Sequence, residues 1–230
     1  MGFKEKEIIN NNREDIVIDK LKKINDYTKT LTAHENPQLI EIYEAEKKKD
    51  KLSPIIEPEV GKFLSFLVRS LKAKYVLELG SGIGYSTIWL GEALNFNRGK
   101  LISVEVEENK YREAALNIKK AALDHVVKLI NQDALSYLNS LNNDDSKFSF
   151  DLIFVDLDKR LYPEIVENCI GLLKVNGLIV ADDTLFKPKG LRKKISEPVH
   201  RFNEIVFSHS RLYSVILPVG DGITMSLKIK

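Results

Sequence analysis

The sequence predicts a doubly wound α/β fold: a mostly parallel seven-stranded sheet with an antiparallel C-terminal hairpin, preceded by N-terminal helices. Three observations lead there. Past residue 60, wholly apolar runs such as Leu152-Ile153-Phe154-Val155 and Leu178-Ile179-Val180-Ala181 alternate with amphipathic stretches of helical length. Strands without polar alternation have both faces covered, and the fixed hand of strand–helix–strand crossovers then winds the sheet on both sides. The last two apolar runs, 212–217 and 223–229, are separated only by Pro218-Val219-Gly220-Asp221-Gly222. That gap is too short for a parallel crossover, so the two runs pair as a hairpin.

The elements follow in order. Residues 1–53 are charged and lack glycine after Gly2, with apolar residues such as Ile16, Leu21, Ile24, Leu39, Ile42 and Tyr43 at helical spacing. They read as two or three helices, broken near Asn36-Pro37 and Ser53-Pro54. Residues 54–230 form the α/β domain. A helix over 60–71 puts Phe63, Leu64, Leu67 and Val68 on one face and leads to a strand at 76–79. Helix 86–94, strand 101–105, helix 108–123 and strand 126–130 come next. Helix 134–141, strand 152–155, helix 162–173, strand 178–181 and helix 198–208 precede the hairpin.

Composition narrows the function. A chain of 230 residues with 43% hydrophobic content buries a full core and is neither disordered nor dependent on staples. Thirty-five Lys and Arg against 33 Asp and Glu leave a net charge of +2, which excludes nucleic-acid binding by bulk charge. The single cysteine, Cys169, can form neither an internal disulfide nor a thiolate metal site, so a reducing, cytoplasmic setting is expected. The charged start, running into Asn10-Asn11-Asn12, lacks a signal-peptide core, and no apolar run nears the ~20 residues of a membrane span.

The turn after the first strand reads Glu78-Leu79-Gly80-Ser81-Gly82-Ile83-Gly84-Tyr85-Ser86. Its glycines permit positive φ and close approach of a ligand to the N–H groups of the next helix. A dinucleotide loop wants its third glycine one position later, where Tyr85 stands, so a smaller and less anionic ligand is expected. Glu105, 21 residues beyond Gly84 at the end of the second strand, is placed to accept both hydroxyls of a ribose. Alone it could equally open an acidic helix N-terminus; with the glycine turn at the same sheet edge, ribose binding is the better reading.

Asp156 follows the fourth strand, and Asp182-Asp183 follow the fifth. In a parallel sheet these ends share the edge that carries the glycine turn and Glu105. One such Asp reads as a helix cap; three converging carboxylates repel one another unless a cation or protons intervene. All-oxygen donors select Mg²⁺, Mn²⁺ or Ca²⁺ over Zn²⁺.

These residues resemble a known family. The glycine turn looks like motif I of class I S-adenosylmethionine-dependent methyltransferases, most of all the cation-dependent O-methyltransferases of the caffeoyl-CoA and catechol type, in their bacterial and plant pattern. The resemblance covers roughly residues 54–230 and implies a Rossmann-like methyltransferase fold. It implies that Glu78, Gly80, Gly82, Tyr85 and Ser86 line the methionine end of the cofactor, with Asp156 beside it. Glu105 would hold the ribose, and Asp133 with Ala134 would lie beside the adenine. Asp156-Leu157-Asp158-Lys159 looks like the family's Asp-x-Asp-Lys motif, and Ala181-Asp182-Asp183 like its Asp-Asn pair. Asp156, Asp182 and Asp183 would then ligate Mg²⁺, with Asp183 a departure from Asn. Lys159 would accept a proton from the substrate hydroxyl.

The expected function is methyl transfer from S-adenosylmethionine to a catechol-like substrate with vicinal oxygens. A tRNA 5-hydroxyuridine is the alternative acceptor, with Lys187, Lys189, Arg192, Lys193 and Lys194 as phosphate contacts or simply a solvated loop. A non-catalytic module that binds an adenosine nucleoside is a further reading. By the same resemblance, residues 1–53 shape substrate choice and a homodimer; no membrane partner is expected.

Overall fold

The computed structural model describes residues 19–20, 23–24, 26–28, 30–31, 36–49, 55–142 and 149–230. The expected break at Ser53-Pro54 and the positions of Ile16 and Leu21 lie outside them. The chain divides into two compact units, Met1–Glu35 and Asn36–Lys230. In the first, the described positions between 19 and 31 are helical. The sequence draws its boundary at 54, where glycine content changes; the larger unit takes in helix α1 (Pro37–Lys49) because Leu39 and Ile42 are buried in its core.

Helix α2 (Pro58–Ser70) starts on a proline, whose missing N–H costs nothing in a first turn. Then come β1 (Tyr75–Leu79), α3 (Tyr85–Asn97), β2 (Lys100–Glu105), α4 (Glu108–Lys120), β3 (Val127–Asn131), α5 (Ala134–Asn142) and β4 (Phe150–Val155). A 3₁₀ turn (Lys159–Leu161), α6 (Val166–Leu172), β5 (Leu173–Ala181), α7 (Lys193–Ser208), β6 (Leu212–Leu217) and β7 (Ile223–Lys228) complete the chain. The strand order is β3-β2-β1-β4-β5-β7-β6. The first five are parallel, and β7 runs antiparallel between β5 and β6. The doubly wound sheet and its reversed terminal hairpin are as the sequence predicts.

Alternation along each strand feeds two cores. Val76, Leu101, Leu152, Phe154 and Val180 face the layer of α1 to α4, while Leu77, Leu79, Val104, Ile153, Val155 and Ile179 face α5 to α7. Three boundaries differ by four residues or more from the sequence reading, and one is the start of β5, at Leu173 where the sequence puts it at 178. The helix expected over 162–173 is shortened, because Asp158 accepts the backbone N–H of Arg160 and starts a 3₁₀ turn first. Helix α7 begins at Lys193 and runs through Pro198. The carbonyl that Pro198 cannot bond belongs to Lys194, which is exposed, so water can satisfy it.

Register sets Leu79 of β1 beside Val104 of β2 and Val155 of β4, and Val155 beside Ala181 of β5. The C-terminal ends of four strands thus form one edge. Helical connections leave in opposite directions on the two sides of β1, opening a crevice there.

Candidate active site

The glycine turn leaves β1 at that crevice. Gly80 and Ser81 donate their N–H groups to Val104 O at 2.9 and 3.2 Å, which folds the turn across β2. Gly80 has φ of 93°, and a Cβ there would stand 2.1 Å from the backbone oxygen of Asp156. Only glycine therefore lets the turn lie against the end of β4. Gly84, at φ 90°, caps α3 and packs on Ala114 of α4.

Glu105 is fastened from two sides. Gly82 N donates to its Oε2 and Glu107 N to its Oε1, both at 2.8 Å. The buried carboxylate is thus held at the cleft wall with lone pairs left for a ligand. Asp133 Oδ1 accepts the N–H of Ser136 at 2.9 Å and opens α5 beside it. A cavity of about 410 Å³ is walled by Gly80, Gly82, Tyr85 and Ser86 on one side and by Glu105, Asp133 and Ala134 on the other. Asp156 also lines it.

Glu78 lies beneath this cavity rather than in its wall. Strand alternation turns it from the Leu77 side toward α3, where it is fully buried. Its oxygens accept hydrogen bonds from Ser86 Oγ and Thr87 Oγ1 at 2.6 Å and from Ser103 Oγ at 2.5 Å. Burial pushes its carboxyl up to about 7 from the ordinary 4.5; the three hydroxyls oppose the rise and Asp156 adds to it. A carboxyl raised in this way binds its proton more tightly in the folded chain than in the unfolded one. Its contribution to stability is complete below about pH 4.5 and is lost as the pH rises through about 7. Glu78→Gln should therefore shrink the fall in urea midpoint between about pH 5 and pH 8. An unchanged fall would assign that pH dependence to other carboxylates.

A second cavity of about 810 Å³ shares Ile55, Ile56 and Asp156 with the first. Asp156, Asp182 and Asp183 line it, together with apolar Ile56, Phe186 and Leu191. The structure thus brings the three sequence-marked carboxylates to one wall. Lys159 Nζ lies 2.8 Å from Asp156 Oδ1 and 2.9 Å from Asp183 Oδ2, and donates to Tyr162 Oη at 2.8 Å. The Tyr162 hydroxyl in turn lies 3.1 Å from the carbonyls of Val155 and Asp182. Asp182 Oδ1 accepts the N–H of Asp183 at 2.8 Å.

The electrostatics follow from crowding. Burial, then the charges of Asp156 and Asp183, push Asp182 well above the usual carboxylate range. Burial raises Asp183 too, against the pull of Lys159. Burial works to lower Lys159, but Asp156 and Asp183 outweigh it and hold the ammonium well above its ordinary range. Among the described residues, no three acidic, histidine or cysteine side chains converge as a metal site. The donors are hard, mutually repelling oxygens that suit a divalent cation, but here the ammonium of Lys159 completes their arrangement.

Sequence reasoning missed five contributors. Tyr162 follows Lys159 by three residues, one 3₁₀ turn, and that spacing was its signal. Ile55 and Ile56 wall both cavities but carry no motif. Thr87 and Ser103 hold Glu78. Of the basic loop, Lys187 pairs with Glu197 and Lys189 with Asp221, while Arg192 and Lys194 line the second cavity.

Comparison with known proteins identifies a family. A family model described as O-methyltransferase matches residues 29–229. A caffeoyl-CoA O-methyltransferase of Stellaria longipes is 34% identical over 183 residues, 75% of each chain. A catechol O-methyltransferase of Niastella koreensis is 34% identical over 181 residues, 75% of this chain and 81% of that one. Among solved structures, the O-methyltransferase TomG from Streptomyces achromogenes in complex with SAM superposes with a TM-score of 0.79 at 26% identity, covering 90% of this chain and 96% of that one. The O-methyltransferase from Bacillus cereus in complex with SAH gives 0.76 at 25%, covering 90% and 97%.

Proposed function

Because the chain belongs to the class I S-adenosylmethionine-dependent O-methyltransferase family, we propose that it methylates one hydroxyl of a catechol-like acceptor with two vicinal oxygens, in a reaction that needs Mg²⁺, Mn²⁺ or Ca²⁺. One observation carries this reading. The cavity walled by the glycine turn and Glu105 meets the cavity walled by carboxylates at Asp156. A cofactor in the first and an acceptor in the second would face each other across that residue.

In this reading Glu105 accepts the ribose hydroxyls, Asp133 and Ala134 flank the adenine, and the turn with Tyr85 and Ser86 takes the methionine end. Glu78 acts from below, by fixing the Ser86 hydroxyl. Asp156, Asp182 and Asp183 would hold the cation, which lowers the pKa of the acceptor hydroxyl when bound. Lys159, having first given its own proton to water, takes the hydroxyl proton; the oxygen lone pair then forms the new O–CH₃ bond as the C–S bond breaks and S-adenosylhomocysteine leaves. Ile55, Ile56, Phe186 and Leu191 supply apolar walls against which an aryl acceptor or the cofactor can pack. Residues 1–53 as a substrate-shaping and dimer-forming segment, and a cytoplasmic setting, belong to the same reading. No helix among the described residues is long and apolar enough to cross a membrane.

The test is transfer of labelled methyl to aryl acceptors with one hydroxyl or two vicinal hydroxyls, with Mg²⁺ or with EDTA. Transfer is expected only to the vicinal acceptors, and EDTA should abolish it. Undiminished transfer in EDTA would remove the cation; equal use of the single-hydroxyl acceptor would remove chelation by the substrate. Arg192 and Lys194 at the second cavity favour a second reading, a tRNA-borne acceptor. It requires tRNA affinity that falls steeply with salt.

A further inference from the structure

The place between Asp156 and Asp183 is filled by this chain's own cation. Lys159 Nζ stands 2.8 Å from Asp156 Oδ1 and 2.9 Å from Asp183 Oδ2, and only 12% of its side chain is exposed. A long flexible ammonium is seldom buried unless it is paired. Here three features hold it: two carboxylates, the Tyr162 hydroxyl, and the Tyr162 ring, whose centroid is 4.8 Å away. The second carboxylate is distinctive. Asp183 takes a left-handed backbone conformation at φ 62°, which Asn and Asp tolerate better than other side chains. Asn would suit that backbone equally well but would offer Lys159 no charge. The carboxylate at 183 therefore acts on Lys159, beyond any part it has in holding a metal.

We propose that Lys159 is a resident competitor for the divalent cation, positioned by Asp183, so that metal binding must displace the ammonium from between Asp156 and Asp183. This rests on the cation reading given above. The physical ground is that two cations crowd each other on one pair of partly buried oxygens: at about 4 Å their repulsion is several-fold RT even at an effective dielectric of about 20. Removing the ammonium leaves three carboxylates with no cation, which raises their demand for a metal. Displacement would also carry the lysine nitrogen out of its ion pairs and toward the second cavity, where an acceptor hydroxyl would lie. Arrival of the metal and release of the base would then be one event.

The test uses the full chain without cofactor and Mn²⁺ alone as probe. Free Mn²⁺ is followed by electron paramagnetic resonance for wild type and Lys159→Met, which keeps the side chain's bulk and loses its charge. Lys159→Met should bind Mn²⁺ roughly tenfold more tightly, or better. A purely structural role for Lys159 would loosen the cluster and weaken binding instead. A second measurement needs no variant. Lys159 of the wild type, mapped by mass spectrometry after brief amine acetylation, should be protected without metal and should react faster at saturating Mn²⁺. Tighter binding by Lys159→Met together with metal-induced exposure of Lys159 supports the proposal. If wild type binds Mn²⁺ and Lys159→Met binds equally or more weakly, displacement is wrong while the cation reading stands. If neither protein binds Mn²⁺, both fall. Should Lys159→Met fail to fold, acetylation that is unchanged or reduced by Mn²⁺ in the wild type overturns the proposal.

Discussion

Lys159→Ala should lower kcat by about 10²–10⁴ under saturating cofactor and Mg²⁺, the usual scale for loss of a positioned base. Lys159 does not line the cavity assigned to the cofactor, so the Kd for S-adenosylmethionine should stay near the wild-type value. Stability of the metal-free protein should fall, because the ammonium is ion-paired with both Asp156 and Asp183. Added Mg²⁺ should restore much of that stability without restoring kcat. This split separates proton transfer from scaffolding. A variant with wild-type kcat at saturating Mg²⁺ would remove Lys159 from the chemistry.

Glu105→Ala should weaken S-adenosylmethionine binding by about 1.5–3 kcal/mol, the scale of hydrogen bonds to a charged acceptor. That is roughly ten- to a hundredfold in Kd. Two losses combine. The ribose loses its acceptor, and Gly82 N and Glu107 N lose the carboxylate that ties the glycine turn to the end of β2. Glu105→Gln keeps the shape and one acceptor oxygen, so it should fall between Ala and wild type. Metal binding should be unchanged in both, since Glu105 is not among the residues lining the carboxylate cavity. Calorimetry with an unchanged cofactor Kd would refute the ribose assignment.

Much of this site is legible in the sequence because a parallel sheet brings the ends of its strands together. Once 152–155 and 178–181 read as buried parallel strands, Asp156 and Asp182-Asp183 had to share an edge with the glycine turn and Glu105. The reversed hairpin was equally legible, since five linking residues allow no other pairing. Glu78 shows what a motif alone hides. Its neighbours Leu77 and Leu79 face α5 to α7, so strand parity turns Glu78 away from them, under α3 and onto the hydroxyls of Ser86, Thr87 and Ser103. The start of α7 was illegible because a proline in the second turn looks like a boundary, whereas the carbonyl it leaves unbonded belongs to Lys194, an exposed residue. The pairing of Lys159 with Asp183 joins residues 24 apart on different strand ends, and no local pattern announces it.

The most direct measurement is a crystal structure of the chain with S-adenosylhomocysteine and Mn²⁺, with the manganese located by its anomalous scattering. The ribose is expected on Glu105, the sulfur turned toward Asp156, and one manganese peak among Asp156, Asp182 and Asp183 with Lys159 withdrawn from between them. A cofactor seated away from the glycine turn, or a carboxylate cluster that keeps Lys159 and holds no manganese, would contradict that arrangement.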